Sequence, residues 1–286
     1  MPKFDLKISL VIPVYNEQKH IAACLRAISK LDVIPYEVIV IDNLSTDKTV
    51  EVVKKYSFVT LIKEDTQGVV FARDRGFNYA SGDIIGRIDA DTILPPDWTA
   101  KVIEIFKDDA VQAVSGGLHF YDIGMNKVID KVDKYWRAWM AKRMAPNNRI
   151  FLFGANMAIR KSAWMDVRSQ VCHQRGFHED LDLALHLSDE QKKVIFDPDL
   201  KANVSARRID CRLIDLALYA FINPWTYIKH NAKEHRYMYP LILLIIINFL
   251  FLKMLFRAFD NQAQRFNLKK LLFGQSAVRV NPADFM

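Results

Sequence analysis

The sequence predicts an α/β fold built on a mostly parallel sheet flanked by helices, and three observations carry that prediction. Short apolar runs recur at residues 8–14, 38–41, 58–62 and 84–88. Segments with helical spacing of apolar residues lie between them, the alternation that produces parallel strands joined by right-handed crossovers. Carboxylates stand at the ends of two of the runs, Asp42 after the second and Asp89 with Asp91 after the fourth. In open α/β sheets the carboxyl ends of the strands are where ligands bind.

Taken in order, residues 8–14 read as a central strand, with Pro13 near its end, where a missing N–H is tolerated. Asn16 is placed to cap a helix over residues 17–30, whose Ile21, Leu25 and Ile28 share one face. The second strand ends at Asp42-Asn43, and Ser45, Thr46 and Asp47 offer caps for a helix through Tyr56. After the third strand, Gly68 opens a helix that Ser81-Gly82 closes. Pro95 and Pro96 stop the fourth strand segment and set up a helix beginning at Asp97-Trp98. A fifth strand is expected at residues 111–115, a helix at 130–143 carrying Trp136 and Trp139, a helix at 176–188 and a last strand at 194–196. The first turn of the 176–188 helix holds Glu179, Asp180 and Asp182, where the helix dipole favours anions.

The turn after the first strand, Ile12-Pro13-Val14-Tyr15-Asn16-Glu17, contains no glycine, so neither a dinucleotide fingerprint nor a phosphate-binding P-loop is present. Asp89 and Asp91 repel each other unless a cation sits with them, and hard oxygen ligands suit magnesium or manganese. Three scattered cysteines, Cys24, Cys172 and Cys211, show no metal-ligand spacing and read as reduced thiols of a cytosolic protein. The N-terminus does not resemble a secretory signal. The net charge of +7 gathers after Lys201. That implies contact with acidic lipid, and no nucleic-acid-binding signature accompanies it.

In sequence order, the motifs Val11 to Glu17, Val38 to Asn43 with Ser45-Thr46-Asp47, Gly68 with Ala72-Arg73, Ser81-Gly82-Asp83, Asp89-Ala90-Asp91, Gly154-Ala155-Asn156 and Glu179-Asp180 resemble those of the family 2 glycosyltransferases. These are inverting enzymes of the A-type fold, and the resemblance covers roughly residues 7–210. It implies a catalytic domain over residues 1–210, with a nucleotide-sugar-binding half (1–115) and an acceptor half (116–210). Pro13, Tyr15 and Glu17 would shape the nucleoside and ribose pocket. Asp42 would accept from a base, expected to be uracil, and Arg73 would reach the base or the diphosphate. The neighbouring Asp74 departs from the asparagine more usual in the family. Asp91 would hold Mn2+ or Mg2+, with Asp89 beside it as second ligand and ribose contact. Asp180 would be the general base, with Glu179 as runner-up, for transfer from a UDP-sugar to an acceptor hydroxyl. Glu179 and Asp182 are expected to raise the Asp180 pKa by like-charge repulsion. Asn156 would flank the donor, Arg207 and Arg208 would clamp the diphosphate, and His173 or His178 is a candidate third metal ligand. The Gln-x-x-Arg-Trp motif of processive synthases is absent, implying transfer of a single sugar. A nucleotidyltransferase and an inactive membrane-bound scaffold are the alternatives. The first lacks its glycine-rich signature, and retention of both acidic sites speaks against the second.

Residues 211–286 read as a helical, basic and hydrophobic appendage. The stretch 238–256 is almost wholly apolar, but Asn248 and Lys253 interrupt it and a span needs about 20 apolar residues. Basic residues flank both sides: Lys229, Lys233 and Arg236 before it, Arg257, Arg265, Lys269 and Lys270 after it. That symmetry predicts an in-plane or re-entrant helix on the cytoplasmic face of a membrane, with a lipid-linked or glycan acceptor; the alternative is a helix buried against the catalytic domain.

Overall fold

The computed structural model describes residues 6–123, 126–145, 149–174, 176–260 and 265–267. The Lys269 and Lys270 flank lies outside them. The strands are β1 (Ile8–Val14), β2 (Glu37–Asp42), β3 (Val59–Lys63), β4 (Ile84–Arg87), β5 (Val111–Phe120), β6 (Met157–Arg160) and β7 (Lys193–Val204). They form one sheet in the order β3-β2-β1-β4-β6-β5-β7. β1 to β4 run parallel to one another, and β5 is parallel to β7. β6 is antiparallel to both β4 and β5 and joins the two groups. The sequence reading placed no strand at β6. It is a four-residue run, Met-Ala-Ile-Arg, whose partners are supplied only by the tertiary fold.

Nine helices follow in the described residues: α1 (Ile21–Ile28), α2 (Thr49–Val53), α3 (Val69–Tyr79), α4 (Trp98–Ile105), α5 (Asn126–Met144), α6 (Lys161–Val167), α7 (Glu179–Asp189), α8 (Leu213–Lys229) and α9 (Met238–Ala258). A two-stranded ribbon, β8 (Phe259–Asp260) with β9 (Arg265–Phe266), ends the described chain. Alternating side chains of β1 serve two cores. Leu10 and Ile12 pack with Ile21, Trp98 and Val102 from α1 and α4. Val11 packs with Phe77, Trp164 and Leu181 from α3, α6 and α7.

The first helix starts later than expected, at Ile21, because Asn16 does not cap it. Asn16 adopts a left-handed backbone, φ 54°. Its Oδ1 accepts from the N–H groups of Thr46 and Asp47 at 2.8 and 3.3 Å. The residue clamps the loop after β1 to the loop after β2.

The C-terminal helices are two-faced. Tyr227, Met238 and Ile242 join the hydrophobic core on the α3, α6 and α7 side of the sheet. Leu218, Phe221 and Trp225 on α8, and Leu243, Ile247, Leu250 and Phe251 on α9, are exposed; Leu250 is 75% accessible. Among the described residues no single helix is long and apolar enough to cross a membrane. Lys233–Leu244 and Ile246–Ala258, bent by 50°, meet that criterion only together.

Candidate active site

The carboxyl ends of β1, β2 and β4, the loop entering β6, the first turn of α7 and the turn after β7 converge on one crevice. Beside it lies a cavity of about 790 Å³. Asp89, Asp91, Gly154, His178, Asp180 and Arg208 line its polar end, and the walls from α5, α8 and α9 are mainly apolar.

Arg87 organises the polar end, and the sequence reading did not single it out. Its guanidinium is buried, 3.3 Å from Asp89, 3.1 Å from Glu179 and 3.4 Å from Asp180. The signal was present: a lone arginine inside the apolar run 84–88 must have buried partners. Gly154 makes room for it, since a Cβ there would land on the guanidinium.

Asp180 is fully engaged. Its Oδ1 pairs with His178 Nδ1 at 2.5 Å. Its Oδ2 accepts from Gly154 N–H at 2.5 Å and faces Arg87. Burial pushes the Asp180 carboxyl up, but His178, Arg87 and the Gly154 N–H outweigh it and hold the group well below the usual carboxylate range. The expectation that like-charge repulsion raises Asp180 is therefore overturned. Glu179 is the raised member, first through burial and then through Asp180. Burial opposes protonation of His178, but Tyr219 and Asp180 prevail and raise it to about 10. His178 also meets the Tyr219 hydroxyl at 3.0 Å through Nε2. That hydroxyl fixes the ring on its far side; His178 is tied to the carboxylate and not to the Asp89/Asp91 pair.

Arg207 joins the two candidate nucleotide loops. Its Nη2 donates to Glu17 at 2.6 Å and its Nε lies 2.7 Å from Asp91 Oδ2. The Arg208 guanidinium stacks over Tyr219, 4.0 Å from the ring centroid, and faces the cavity. Asp42 stands at the end of β2, its Oδ1 accepting from Ser45 N–H at 3.2 Å. Pro13 and Tyr15 occupy the neighbouring end of β1, and these three do not line the cavity.

Two predicted site residues are committed within the protein. Arg73 is fully buried, donating from Nε to Asp74 at 2.8 Å and from Nη1 to the Glu179 carbonyl at 2.5 Å. Asp74 thus orients Arg73, and its other oxygen meets His173 Nε2 at 2.8 Å. Asn156 is also fully buried. It accepts from Trp98 Nε1 at 2.8 Å and donates to the carbonyls of Gly117 and Leu200 at 2.9 and 2.7 Å. Its visible work is to tie α4, β5 and β7 together. Trp136 lines the cavity, and the Trp139 ring lies tilted against it, 5.0 Å between centroids.

Comparison with known proteins agrees with this geometry. Residues 9–168, more than half of the chain, match the glycosyl transferase family 2 profile. The chain belongs to glycosyl transferase family 2. It is 29% identical to glycosyltransferase AglE of Haloferax volcanii over 149 residues, 49% of each chain. It is 26% identical to the undecaprenyl-phosphate 4-deoxy-4-formamido-L-arabinose transferase of Yersinia pestis over 211 residues, 71% of this chain and 57% of that one. The matches thus span about half the length of these curated relatives. In fold it resembles a mannosyltransferase from Pyrobaculum calidifontis solved with GDP-Man and Mn2+, with a TM-score of 0.65 and 19% identity over 99% of this chain and 79% of that one. The chain accordingly shares the α/β architecture of this neighbour.

The donor chemistry of this family 2 site fits a divalent metal. Asp89 and Asp91 both line the cavity and offer hard carboxylate oxygens, the set that magnesium or manganese shares with substrate phosphates. Arg207 engages one Asp91 oxygen, Oδ2.

Proposed function

We propose that this glycosyltransferase moves one sugar from a nucleoside diphosphate sugar to the phosphate of a lipid carrier at a membrane surface. The observation that carries the reading is the cavity. It begins at Asp89, Asp91 and Asp180 and continues between Trp136, Met140, Leu216 and Phe249 toward helices whose outer faces are apolar and exposed. An acyl or prenyl chain suits such walls, and Arg137 and Arg208 on the same walls suit its phosphate. The Yersinia relative, named for undecaprenyl phosphate, supports that class of acceptor.

The chemistry favours phosphate over the hydroxyl first expected. A hydroxyl needs a base, and both Asp180 oxygens are occupied by cations and an N–H. A phosphate monoester is already anionic, with its second pKa at about 6. Its oxygen attacks the anomeric carbon as the bond to the diphosphate oxygen breaks, and attack opposite the leaving group inverts the centre. Asp180 and Glu179 hold Arg87 and His178 at the site, and Arg207 and Arg208 meet the charge that grows on the diphosphate. Asp91 with Asp89 would hold Mg2+ or Mn2+, which when bound supplies Lewis-acid stabilisation of the departing diphosphate. Pro13, Tyr15, Glu17 and Asp42 are assigned to the nucleoside, taken as uridine. We place the chain on the cytoplasmic face, with α8 and α9 lying in the interface plane.

The test pairs a panel of nucleoside diphosphate sugars with a polyprenyl phosphate, the matching polyprenol and a free oligosaccharide. A glycosyl phospholipid of inverted configuration is expected only with the phosphate. Transfer to the polyprenol or oligosaccharide but not to the phosphate overturns the reading.

A further inference from the structure

A second cluster of ligand-type side chains lies off the reaction crevice, on another face of α7. Cys172, Asp182, His186 and His230 bring a thiol sulfur, a carboxylate oxygen and two imidazole nitrogens within 4.8 Å of one another. Three separate pieces of chain supply them. Cys172 lies in the loop after α6, Asp182 and His186 sit one turn apart on α7, and His230 is the residue that ends α8. The i,i+4 spacing puts Asp182 and His186 on one face of the helix.

The cluster is largely enclosed, with Cys172 half-buried at its edge. The Asp182 side chain is wholly buried, and the His230 and His186 side chains are 10% and 14% exposed. Asp182 Oδ1 lies 2.8 Å from His230 Nε2 and 3.5 Å from His186 Nε2, while Oδ2 accepts from the Cys172 N–H at 2.8 Å. The two imidazoles meet edge to face, 4.9 Å between centroids. His186 Nε2 is buried, points into the group and has no hydrogen-bond partner of good geometry. A buried polar atom left in that condition is costly unless something binds it.

We propose that Cys172, Asp182, His186 and His230 form a structural zinc site. One sulfur, one oxygen and two nitrogens from four side chains make a closed tetrahedral set, the arrangement of zinc sites that leave no position for substrate. Thiolate and imidazole select zinc over the magnesium or manganese suited to Asp89 and Asp91. The ion would cross-link the α6–α7 loop, α7 and the end of α8, and so fix the helix whose first turn presents Glu179 and Asp180. Binding expels the Cys172 thiol proton to solvent, and no redox step is involved.

The experiment uses the full chain, purified without a nickel column, dialysed and analysed for metal by mass spectrometry. About one zinc per chain is expected. It should persist in Asp91→Ala, which removes the other metal position. Replacing zinc with cobalt should give a thiolate-to-cobalt charge-transfer band that Cys172→Ser abolishes. Cys172→Ser and His230→Gln should each weaken zinc retention by about tenfold or more, since even outer partners of zinc ligands are worth about 10–100-fold. Wild-type protein that takes up neither zinc nor cobalt overturns the proposal, as does a cobalt band that survives Cys172→Ser. The cobalt spectrum of the wild type requires no variant to fold.

Discussion

Asp180 and Asp182 are two residues apart on α7, both buried, and both are held well below the usual carboxylate range against the pull of burial. The means differ. Asp180 faces the cavity and is held by His178 and Arg87. Asp182 faces inward, against the imidazoles of His186 and His230 and the Cys172 N–H. One carboxylate is part of a charged network with a cavity in front of it. The other belongs to a second cluster that does not line the cavity. Position along a helix therefore says little about a carboxylate's work; what decides it is which elements pack against each face.

The largest effect that can separate the two faces comes from Asp91→Ala. It is expected to lower turnover by about 10³-fold or more and to remove metal-dependent nucleotide binding, with the fold intact. Full activity in excess magnesium chelator, or a wild-type rate in the variant, would contradict it. Next is Arg87→Met, which leaves Asp89, Glu179 and Asp180 without their shared buried cation. A loss of about 3–5 kcal/mol in denaturant unfolding is expected. Unchanged stability would show that the arginine is dispensable to the network.

Asp180→Asn follows, with an expected drop of about 10²-fold in transfer rate as Arg87 and His178 lose their shared anchor, and little change in donor affinity. The pH–rate profile sharpens this. With a phosphate acceptor the acid limb stays near pH 6 in both proteins, following the acceptor. If the limb disappears in the variant, Asp180 is the base and the acceptor a hydroxyl. The smallest effect is the pH dependence of stability. His178 is raised from 6.5 to about 10, so the stability it adds is fully present below about pH 6.5 and is lost as pH rises through about 10. Denaturation midpoints of the wild type and His178→Asn should differ most at the acid end of that window and converge at its alkaline end. A gap that widens with pH would reverse the assignment.

Much of the crevice was legible because strand ends announce themselves. β1, β2 and β4 are largely apolar, Asp42 is the last residue of β2, and Asp89 and Asp91 follow shortly after β4. The features that were missed depend on residues far apart in sequence. Arg87 meets Glu179 and Asp180 only across the sheet, so a reading that saw Glu179 and Asp182 as the neighbours of Asp180 gave its pKa the wrong direction. Asn16 reads as a helix cap until the loop after β2 takes its side chain. The cluster at Asp182 draws on Cys172 and on His230, which lies beyond the next helix. Only the Asp182/His186 spacing on α7 was available beforehand.

The antiparallel β6 also sets the order in which the chain can assemble. Residues 84–87 of β4 pair on one side with β1, emerging early from the ribosome, and on the other with residues 157–160. Until that later segment is made, β4 is an open edge carrying Ile84 and Ile85, a template for pairing with other chains. Residues 1–115 alone therefore leave one edge of the sheet unpaired. A fragment ending near residue 115 should aggregate, while one extended past Arg160 closes the edge from within.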